Sequence, residues 1–167
     1  MKAGMPEFSR PLPADRVPKG GSVEKITADQ AECLALARRL DVPAIHGLGA
    51  TLKATPWRGG GLKLEGTLTA DLEQVSVVSL EAFRQELSLP VLRYYLPAGK
   101  TSESEEEEAD PIVAGNIDMG EAVAETLALG LDPYPRKQGE DFDSPADEEA
   151  PGKPESPFAA LVRLKKS

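Results

Sequence analysis

The sequence predicts an α+β fold, in which an antiparallel meander of about five strands has one helix before it and one helix after an acidic loop. Apolar residues alternate with polar or small ones for about eleven residues from Leu62 to Leu72, which is typical of a sheet with one buried face. In two other segments the apolar residues recur three and four positions apart, as on one face of a helix. Fifteen prolines and fifteen glycines assign much of the remaining chain to turns, loops or tails.

We expect six consecutive segments along the chain, which differ in periodicity, proline content and charge. They are an extended N-terminal arm (1–22), a body of one helix and the antiparallel sheet (23–97), a disordered acidic loop (98–110), a strand and helix completing the domain (111–136), a flexible acidic tract (137–156) and a short C-terminal docking segment (157–167).

The first helix is predicted to begin at Thr27, because Thr27 and Gln30 have the spacing of a capping box. It is predicted to end at 41–43, since a residue that precedes a proline is displaced from the α region. Four apolar residues at helical spacing form its buried face: Cys33, Leu36, Ala37 and Leu40.

The sheet is predicted to begin with alternating residues at 48–54 and to turn at the glycine-rich segment 56–61, which forms a hairpin. Gly66, within the second strand, marks a candidate β-bulge. Val75, Val77 and Val78 predict a further apolar stretch, and 91–96 predicts the last strand of the meander.

The second helix is predicted to start at Asp118, with Glu121 three residues later, and to stop at Gly130. Its apolar face contains four residues: Ala122, Val123, Thr126 and Leu127. The C-terminal segment is amphipathic with a basic end, and we expect it to dock on the sheet.

The residue counts exclude several classes of protein. A single cysteine, Cys33, allows no internal disulfide and no multi-cysteine zinc site. A single histidine, His46, has no catalytic partner near it in sequence, and 59–61 precedes a strand, whereas phosphate-binding glycines precede a helix. No apolar run is long enough to cross a membrane, and there is no apolar signal core. We therefore expect a cytoplasmic protein that is not an enzyme and that needs no cofactor or metal.

The charge is unevenly distributed along the chain. Residues 1–100 carry 13 Lys and Arg against 11 Asp and Glu, a net charge of +2, whereas residues 101–167 carry 6 against 17, a net charge of −11. The overall charge of −9 argues against nucleic-acid binding, because phosphate contacts supply most of that affinity. The argument is weaker for the folded body, since most of the negative charge lies in segments expected to be separate from it.

Two features predict a binding surface. Trp57 and Arg58 lie at the hairpin tip, where such a pair suits base stacking or a protein anchor; alternatively, Trp57 folds back over the sheet edge. Lys53 and Lys63 lie on the polar phase of paired strands, and solvated surface charge is the alternative for them. The full set of candidate RNA-binding or partner-binding residues is Lys53, Trp57, Arg58, Lys63, Arg84 and Arg93.

Three motifs in order resemble a known family. The segment from Gln74 to Phe83 resembles the strand and turn of the YceD family, bacterial and plastid proteins named for the accumulation of large-subunit ribosomal RNA. Residues 116–135 are similar to its acidic-capped helix and proline exit. The segment 156–166 is similar to its C-terminal motif, here represented by Pro157, Phe158, Leu161, Leu164 and Lys165.

One departure concerns a pair of cysteines that many family members carry as Cys-x-x-Cys. Ser76 and Ser79 occupy those positions here, and serine is a poor zinc ligand, so a metal role based on the cysteines does not apply to this chain.

The resemblance implies a non-catalytic ribosome-biogenesis factor that supports the accumulation or processing of large-subunit ribosomal RNA. Its partner would be that RNA or an assembly intermediate. The alternative is an acidic adaptor or chaperone for one basic ribosomal protein. Strand order, barrel closure and oligomeric state are left open by the sequence.

Overall fold

A computed structural model describes residues 6–100 and 108–137. In these ranges the chain forms seven strands and two α-helices, together with two short 3-10 turns at Ala14–Arg16 and Arg58–Gly60. The elements in chain order are β1 (Pro11–Pro13), β2 (Ser22–Thr27), α1 (Gln30–Leu40), β3 (Ala44–Trp57), β4 (Gly61–Val75), β5 (Ala82–Pro97), β6 (Ala109–Ile112), β7 (Asn116–Asp118) and α2 (Met119–Gly130).

The main sheet has five strands in the order β2-β3-β4-β5-β6, and β1 pairs with β7 in a separate two-stranded sheet. The pairs from β2 to β5 are antiparallel, whereas β5 and β6 are parallel. The predicted α+β class is therefore confirmed, with two corrections of detail. One strand pair is parallel, and β2 precedes α1, so the first helix lies after the first strand of the sheet.

The alternation predicted at 48–54 and 62–72 is confirmed in β3 and β4. From Leu48 onward in β3 and throughout β4 the even-numbered residues face the core, and their paired odd-numbered residues in β5 do the same. The most deeply buried of these side chains are Leu48, Leu52, Ala54, Leu62, Leu64, Leu68, Ala70, Leu72 and Val91.

Gly66 does not mark a bulge, because the pairing with both neighbours is regular at this residue. A Cβ atom on Gly66 would overlap the carbonyl oxygen of Thr51 and lie 2.9 Å from the Cα of Leu52. The glycine therefore permits a close approach of two backbones. The register shift lies instead between Ile45 and Gly47, which makes His46 the extra residue of β3.

The predicted N-terminal cap of α1, Thr27, is wrong. Thr27 is the last residue of β2 and pairs with Gly49, so its backbone belongs to the sheet. The helix is capped by Asp29, which accepts a hydrogen bond from the N–H of Glu32 while the Glu32 carboxylate accepts one from the N–H of Asp29. The helix ends, as predicted, before Asp41, which adopts a left-handed conformation with φ of 54°.

The apolar stretch predicted at 75–78 is not a strand of its own. β4 ends at Val75, and residues 76–81 form a turn in which the Oγ of Ser76 accepts hydrogen bonds from the N–H groups of Val78 and Ser79. Because these side chain to backbone bonds compete with strand pairing, the chain reverses here. The next strand, β5, then runs without interruption for 16 residues.

The second helix follows its prediction. The carboxylate of Asp118 accepts a hydrogen bond from the N–H of Glu121 and caps α2, which ends at Gly130. Ala122, Val123 and Leu127 are buried, and they belong to the same core cluster as Cys33, Leu36 and Ala37 of α1. Both helices therefore pack on one face of the main sheet.

The described part of the N-terminal arm, from residue 6 onward, contributes to the core. Phe8 is completely buried, and the Arg10 guanidinium lies 4.8 Å from the centre of its ring. Arg10 donates hydrogen bonds to both carboxylate oxygens of Glu32 at 2.7 and 2.8 Å and to the carbonyl of Thr27 at 2.8 Å. Its backbone N–H donates to Asp118 at 2.8 Å, so the arm contacts both helices.

Three predicted segments fall wholly or largely beyond the described ranges. The acidic loop is described only at 98–100 and 108–110, where Ala109 begins β6. The tract at 137–156 lies outside the described residues except for Lys137, and the docking segment at 157–167 lies outside them completely.

The close approach at Gly66 predicts a large effect of a small substitution. Gly66→Ala is expected to lower the free energy of unfolding by about 1–3 kcal/mol, because the added methyl group overpacks against the β3 backbone. Gly47→Ala is the matched control, since a Cβ there meets no atom within 4 Å. Urea denaturation measures both variants, and equal effects would contradict the steric explanation.

The contact between Arg10 and Glu32 predicts a pH dependence of stability. The hydrogen bonds from Arg10 lower the pKa of Glu32 from 4.5 to about 2, so this contribution is present above pH 4.5 and is lost as the pH falls towards 2. Glu32→Gln is expected to cost about 1–2 kcal/mol at pH 7. The difference from the unsubstituted chain should shrink as the pH falls through that window.

Denaturation with urea at pH 7, 4 and 2.5 tests this expectation. Glu86→Gln, at an exposed position of β5, is the control and should leave both the stability and its pH dependence unchanged. A constant difference for Glu32→Gln at all three pH values would show that the carboxylate charge is not involved.

Candidate nucleic-acid interface

The face of the sheet opposite the helices carries the polar phase of the long strands, and we call it the outer face. At its centre is an open groove of about 750 Å³. The groove is lined by threonines, glycines, a serine and apolar residues, with three charged side chains among them: Lys25, Ile26, Thr27, Gly47, Leu48, Gly49, Ala50, Thr51, Thr67, Thr69, Ala70, Asp71, Glu86, Leu87 and Ser88. This lining offers hydroxyl and backbone groups to a ligand that lies flat on the sheet.

One end of the outer face is basic and aromatic. The rings of Trp57 and Tyr94 lie 4.7 Å apart with an angle of 41° between their planes, and Tyr94 pairs with Lys63. The guanidinium of Arg58 lies 5.7 Å from the centre of the Trp57 ring. Lys53 pairs with Glu65, next to the pair of Thr55 and Lys63. The carboxylate of Glu65 also forms an ion pair with Lys63 at 3.4 Å. We call Lys53, Trp57, Arg58, Lys63 and Tyr94 the basic-aromatic patch.

The structure thus brings together four of the six residues predicted from the sequence and adds Tyr94. Trp57 is half-buried: it lies at the tip of the β3–β4 hairpin, but it packs against the Tyr94 ring. Tyr94 was missed by the sequence analysis, because five of the six residues in 91–96 are apolar or aromatic and the segment has no alternation that would assign its side chains to a face. Its pairing partner could not be read from the segment either.

Arg84 lies at the other end of the outer face, where it pairs with Glu73 in the register. Ten residues of β4 separate Glu73 from Lys63, which corresponds to roughly 30 Å along the strand. Arg84 donates two hydrogen bonds to Asp71, at 2.7 and 2.6 Å, and these lower the pKa of Asp71. Arg84 is therefore placed in an acidic environment and does not join the basic-aromatic patch.

His46 belongs to the same acidic end of the outer face. Its Nε2 atom lies 3.1 Å from a carboxylate oxygen of Glu73, and Glu86 is exposed on the neighbouring strand. The two ends of this face consequently have opposite character, with aromatic rings and cations at the hairpin tip and carboxylates near the β4–β5 turn.

Arg93 lies on the opposite face of the sheet, because it pairs with the buried Leu64. Its guanidinium makes ion pairs with Asp110 at 3.3 Å and Glu125 at 2.8 Å. These contacts connect β5, β6 and α2, which indicates a structural role rather than a place in the binding surface.

The arrangement of the basic-aromatic patch is suited to single-stranded nucleic acid. Aromatic rings stack on bases, and lysine and arginine side chains attract phosphates. Within residues 6–100 and 108–137, no three His, Cys, Asp or Glu side chains are grouped in a way that could hold a metal ion. In the same ranges, no helix is long and apolar enough to cross a membrane.

Comparison with known proteins gives one match. The model of the family described as large ribosomal RNA subunit accumulation protein YceD matches residues 64–165. No curated protein and no solved structure matches the chain. The match includes Tyr94 and all the predicted C-terminal motif residues, which lie outside the described residues: Pro157, Phe158, Leu161, Leu164 and Lys165. The other four members of the basic-aromatic patch precede it.

Proposed function

Because the chain belongs to the YceD family of large ribosomal RNA subunit accumulation proteins, we propose that it acts in this accumulation by binding unpaired segments of large-subunit ribosomal RNA. Such segments are accessible in the RNA itself and in assembly intermediates that expose it. The binding surface in this proposal is the basic-aromatic patch together with the groove beside it.

The observation that carries the proposal is the Trp57–Tyr94 ring pair, flanked by cationic side chains on the face that the helices leave uncovered. Stacking of one base on an aromatic side chain contributes about 1–3 kcal/mol to binding. Lys53 and Lys63 lie on either side of the β3–β4 pairing, at positions where they can contact the phosphates of a strand that stacks on the rings.

The same geometry favours unpaired RNA over duplex RNA. In a duplex the bases are stacked on each other, and the faces that a tryptophan or tyrosine would contact are occupied. The part of the groove next to the patch is formed by the paired residues Thr51 and Thr67, whose small side chains leave room for a flat, extended strand beside the rings.

The acidic end of the outer face supports a restricted binding site. Phosphates are repelled by Asp71 and Glu86, which line the far part of the groove, by Glu73 and by the net charge of −9. Contacts are therefore favourable only at the basic-aromatic patch and the part of the groove next to it. This repulsion weakens non-specific RNA binding and leaves the stacking contacts to determine where the RNA lies.

We also propose that this role is non-catalytic. Burial raises the pKa of the Cys33 thiol, which disfavours the nucleophilic thiolate. His46 is exposed and contacts Glu73, far from the aromatic pair. A chain that carries Cys33→Ala and His46→Gln is therefore expected to fold, to bind RNA and to support ribosomal RNA accumulation in cells as well as the unsubstituted chain. A folded double variant that binds RNA but fails to support accumulation would contradict the non-catalytic role.

The RNA-binding proposal has an internal reporter, since Trp57 is the only tryptophan in the chain. We expect single-stranded fragments of large-subunit ribosomal RNA to quench its fluorescence and duplex fragments of the same sequence to do so weakly. The variant Lys53→Glu, Arg58→Glu, Lys63→Glu should bind at least about tenfold more weakly. Its salt dependence, the slope of log K against log salt, should be smaller by about 2, as expected when three phosphate contacts are lost.

The control must change the charge by the same amount elsewhere. Arg16, Arg38 and Lys137 are exposed and do not belong to the basic-aromatic patch, so their replacement by Glu should reduce binding only slightly. Equal losses in both triple variants would indicate attraction by net charge alone and would exclude the basic-aromatic patch as the binding site.

Gradient sedimentation of lysate, with and without RNase, extends the test to cells. The proposal predicts co-migration with large-subunit precursors that RNase abolishes and that the patch variant lacks. The alternative, an acidic adaptor for a basic ribosomal protein, predicts instead that binding is RNase-resistant and is lost when Glu105, Glu106 and Glu107 are changed to Gln.

A further inference from the structure

The turn between β4 and β5 has a fixed shape. The N–H of Ser76 donates to the carbonyl of Glu81 at 2.9 Å, and the N–H of Leu80 donates to the carbonyl of Ser76 at 2.9 Å. Ser76 is completely buried, and its hydroxyl accepts hydrogen bonds from the N–H groups of Val78 and Ser79 at 3.1 and 3.3 Å. These four hydrogen bonds, all made by Ser76, and a fifth from the N–H of Glu81 to the Oγ of Ser79 at 3.4 Å hold the segment 76–81.

This rigid turn presents apolar side chains to solvent. Leu80 has a φ of 61°, which is unfavourable for a residue with a Cβ by about 1–2 kcal/mol, and its side chain is 78% exposed. Val75, Val77 and Val78 are also exposed, at 43%, 44% and 36%. A strained backbone that displays a leucine beside three valines is typical of a contact surface.

The chain that follows α2 passes along the same turn. The N–H of Val77 donates to the carbonyl of Pro135 at 2.9 Å, and the side chain of Gln74 donates to the carbonyl of Asp132 at 3.3 Å. Tyr134, between these two contacts, is 70% exposed and enlarges the apolar surface. We call Val75, Val77, Val78, Leu80 and Tyr134 the apolar turn.

We propose that the apolar turn is the docking site of this chain's own segment 157–166. The described chain reaches Lys137, two residues beyond the contact between Pro135 and Val77, so the connection to the segment starts beside the turn. Nineteen residues, 138–156, separate Lys137 from Pro157. Even a fraction of the maximum reach of this connection, roughly 70 Å, suffices to return to the turn. Covalent attachment over such a distance gives a local concentration in the millimolar range.

The segment has the chemistry that the apolar turn requires. Phe158, Leu161 and Val162 have the spacing i, i+3, i+4 of a continuous apolar stripe, which would cover the exposed valines and leucine. Charge does not select the partner here, because Glu81 and Asp132 border the turn together with Arg136 and Lys137. Docking should therefore depend on apolar contact and change little with salt.

A spin label on the full chain tests this proposal. Cys33→Ala removes the only natural thiol, and Ser167→Cys places a nitroxide label next to the segment. When the segment is docked in most molecules, the amide signals of residues 77–80 should lose about half or more of their intensity in the paramagnetic state. Signals of the basic-aromatic patch at the far end of the sheet should keep theirs.

The matched control keeps the attachment and removes the apolar side chains. The same labelled chain with Phe158→Glu and Leu161→Glu should restore the signals of residues 77–80, and Leu80→Glu should do so as well. Equal broadening in the variants would reflect proximity alone, and broadening centred on other residues would place the segment elsewhere; either result overturns the proposal.

A second measurement avoids any dependence on Cys33→Ala. Amide spectra of the natural chain and of its Phe158→Glu, Leu161→Glu variant should differ at residues 75–81 and at Tyr134. Superimposable spectra in this region would overturn the proposal. Because neither measurement involves RNA, its outcome is independent of the proposed RNA binding.

Discussion

The position of Arg10 between the two helices is the constraint on which the rest of the structure depends. Its guanidinium binds Glu32 in the first turn of α1, while its backbone N–H and the hydroxyl of Ser9 bind Asp118, the cap of α2. Phe8, immediately before them, is completely buried in the core. A segment of three residues therefore fixes both helix starts with respect to each other and to the same face of the sheet.

As a result, the two faces of the main sheet differ: the helices cover one face and leave the outer face exposed. Long antiparallel strands expose every second side chain to each face, so covering one face with both helices leaves the other to water or to a partner. On this outer face the register places Trp57 beside Tyr94 at the hairpin tip, and it places Asp71, Glu73 and Glu86 at the far end. The mildly basic charge of residues 1–100 is thereby separated into a cationic end and an anionic end.

The family model matches only part of the chain, and the two proposed surfaces lie differently with respect to that part. The family match begins at Leu64, within β4, and the cationic residues of the basic-aromatic patch come earlier. The turn at 76–81 lies inside the match and contains Ser76 and Ser79. Ser76 stabilises the turn through hydrogen bonds from two backbone N–H groups, so its shape needs no metal and no disulfide. The RNA-binding proposal thus depends on residues of this chain, whereas the turn is a feature of the matched region.

Local patterns in the sequence determined the types of most elements and their buried sides. The period of two in β3 and β4 and the stripe of Cys33, Leu36 and Ala37 in α1 depend only on backbone geometry, which repeats within a few residues. The cap at Asp118 was readable for the same reason. Local patterns could not decide between competing signals at Thr27. This residue has the spacing of a helix cap, but it pairs with Gly49 of β3 as the last residue of β2.

Tertiary structure alone decided which side chains meet. Arg84 and Arg93 look equivalent in the sequence, yet their odd and even positions in one strand direct them to opposite faces, and their partners come from β4 and from the distant β6 and α2. The contact between the rings of Tyr94 and Trp57 likewise depends on the β4–β5 register. Contacts of this kind join residues far apart in the chain, and they are selected by the packing of the whole core, which no local pattern contains.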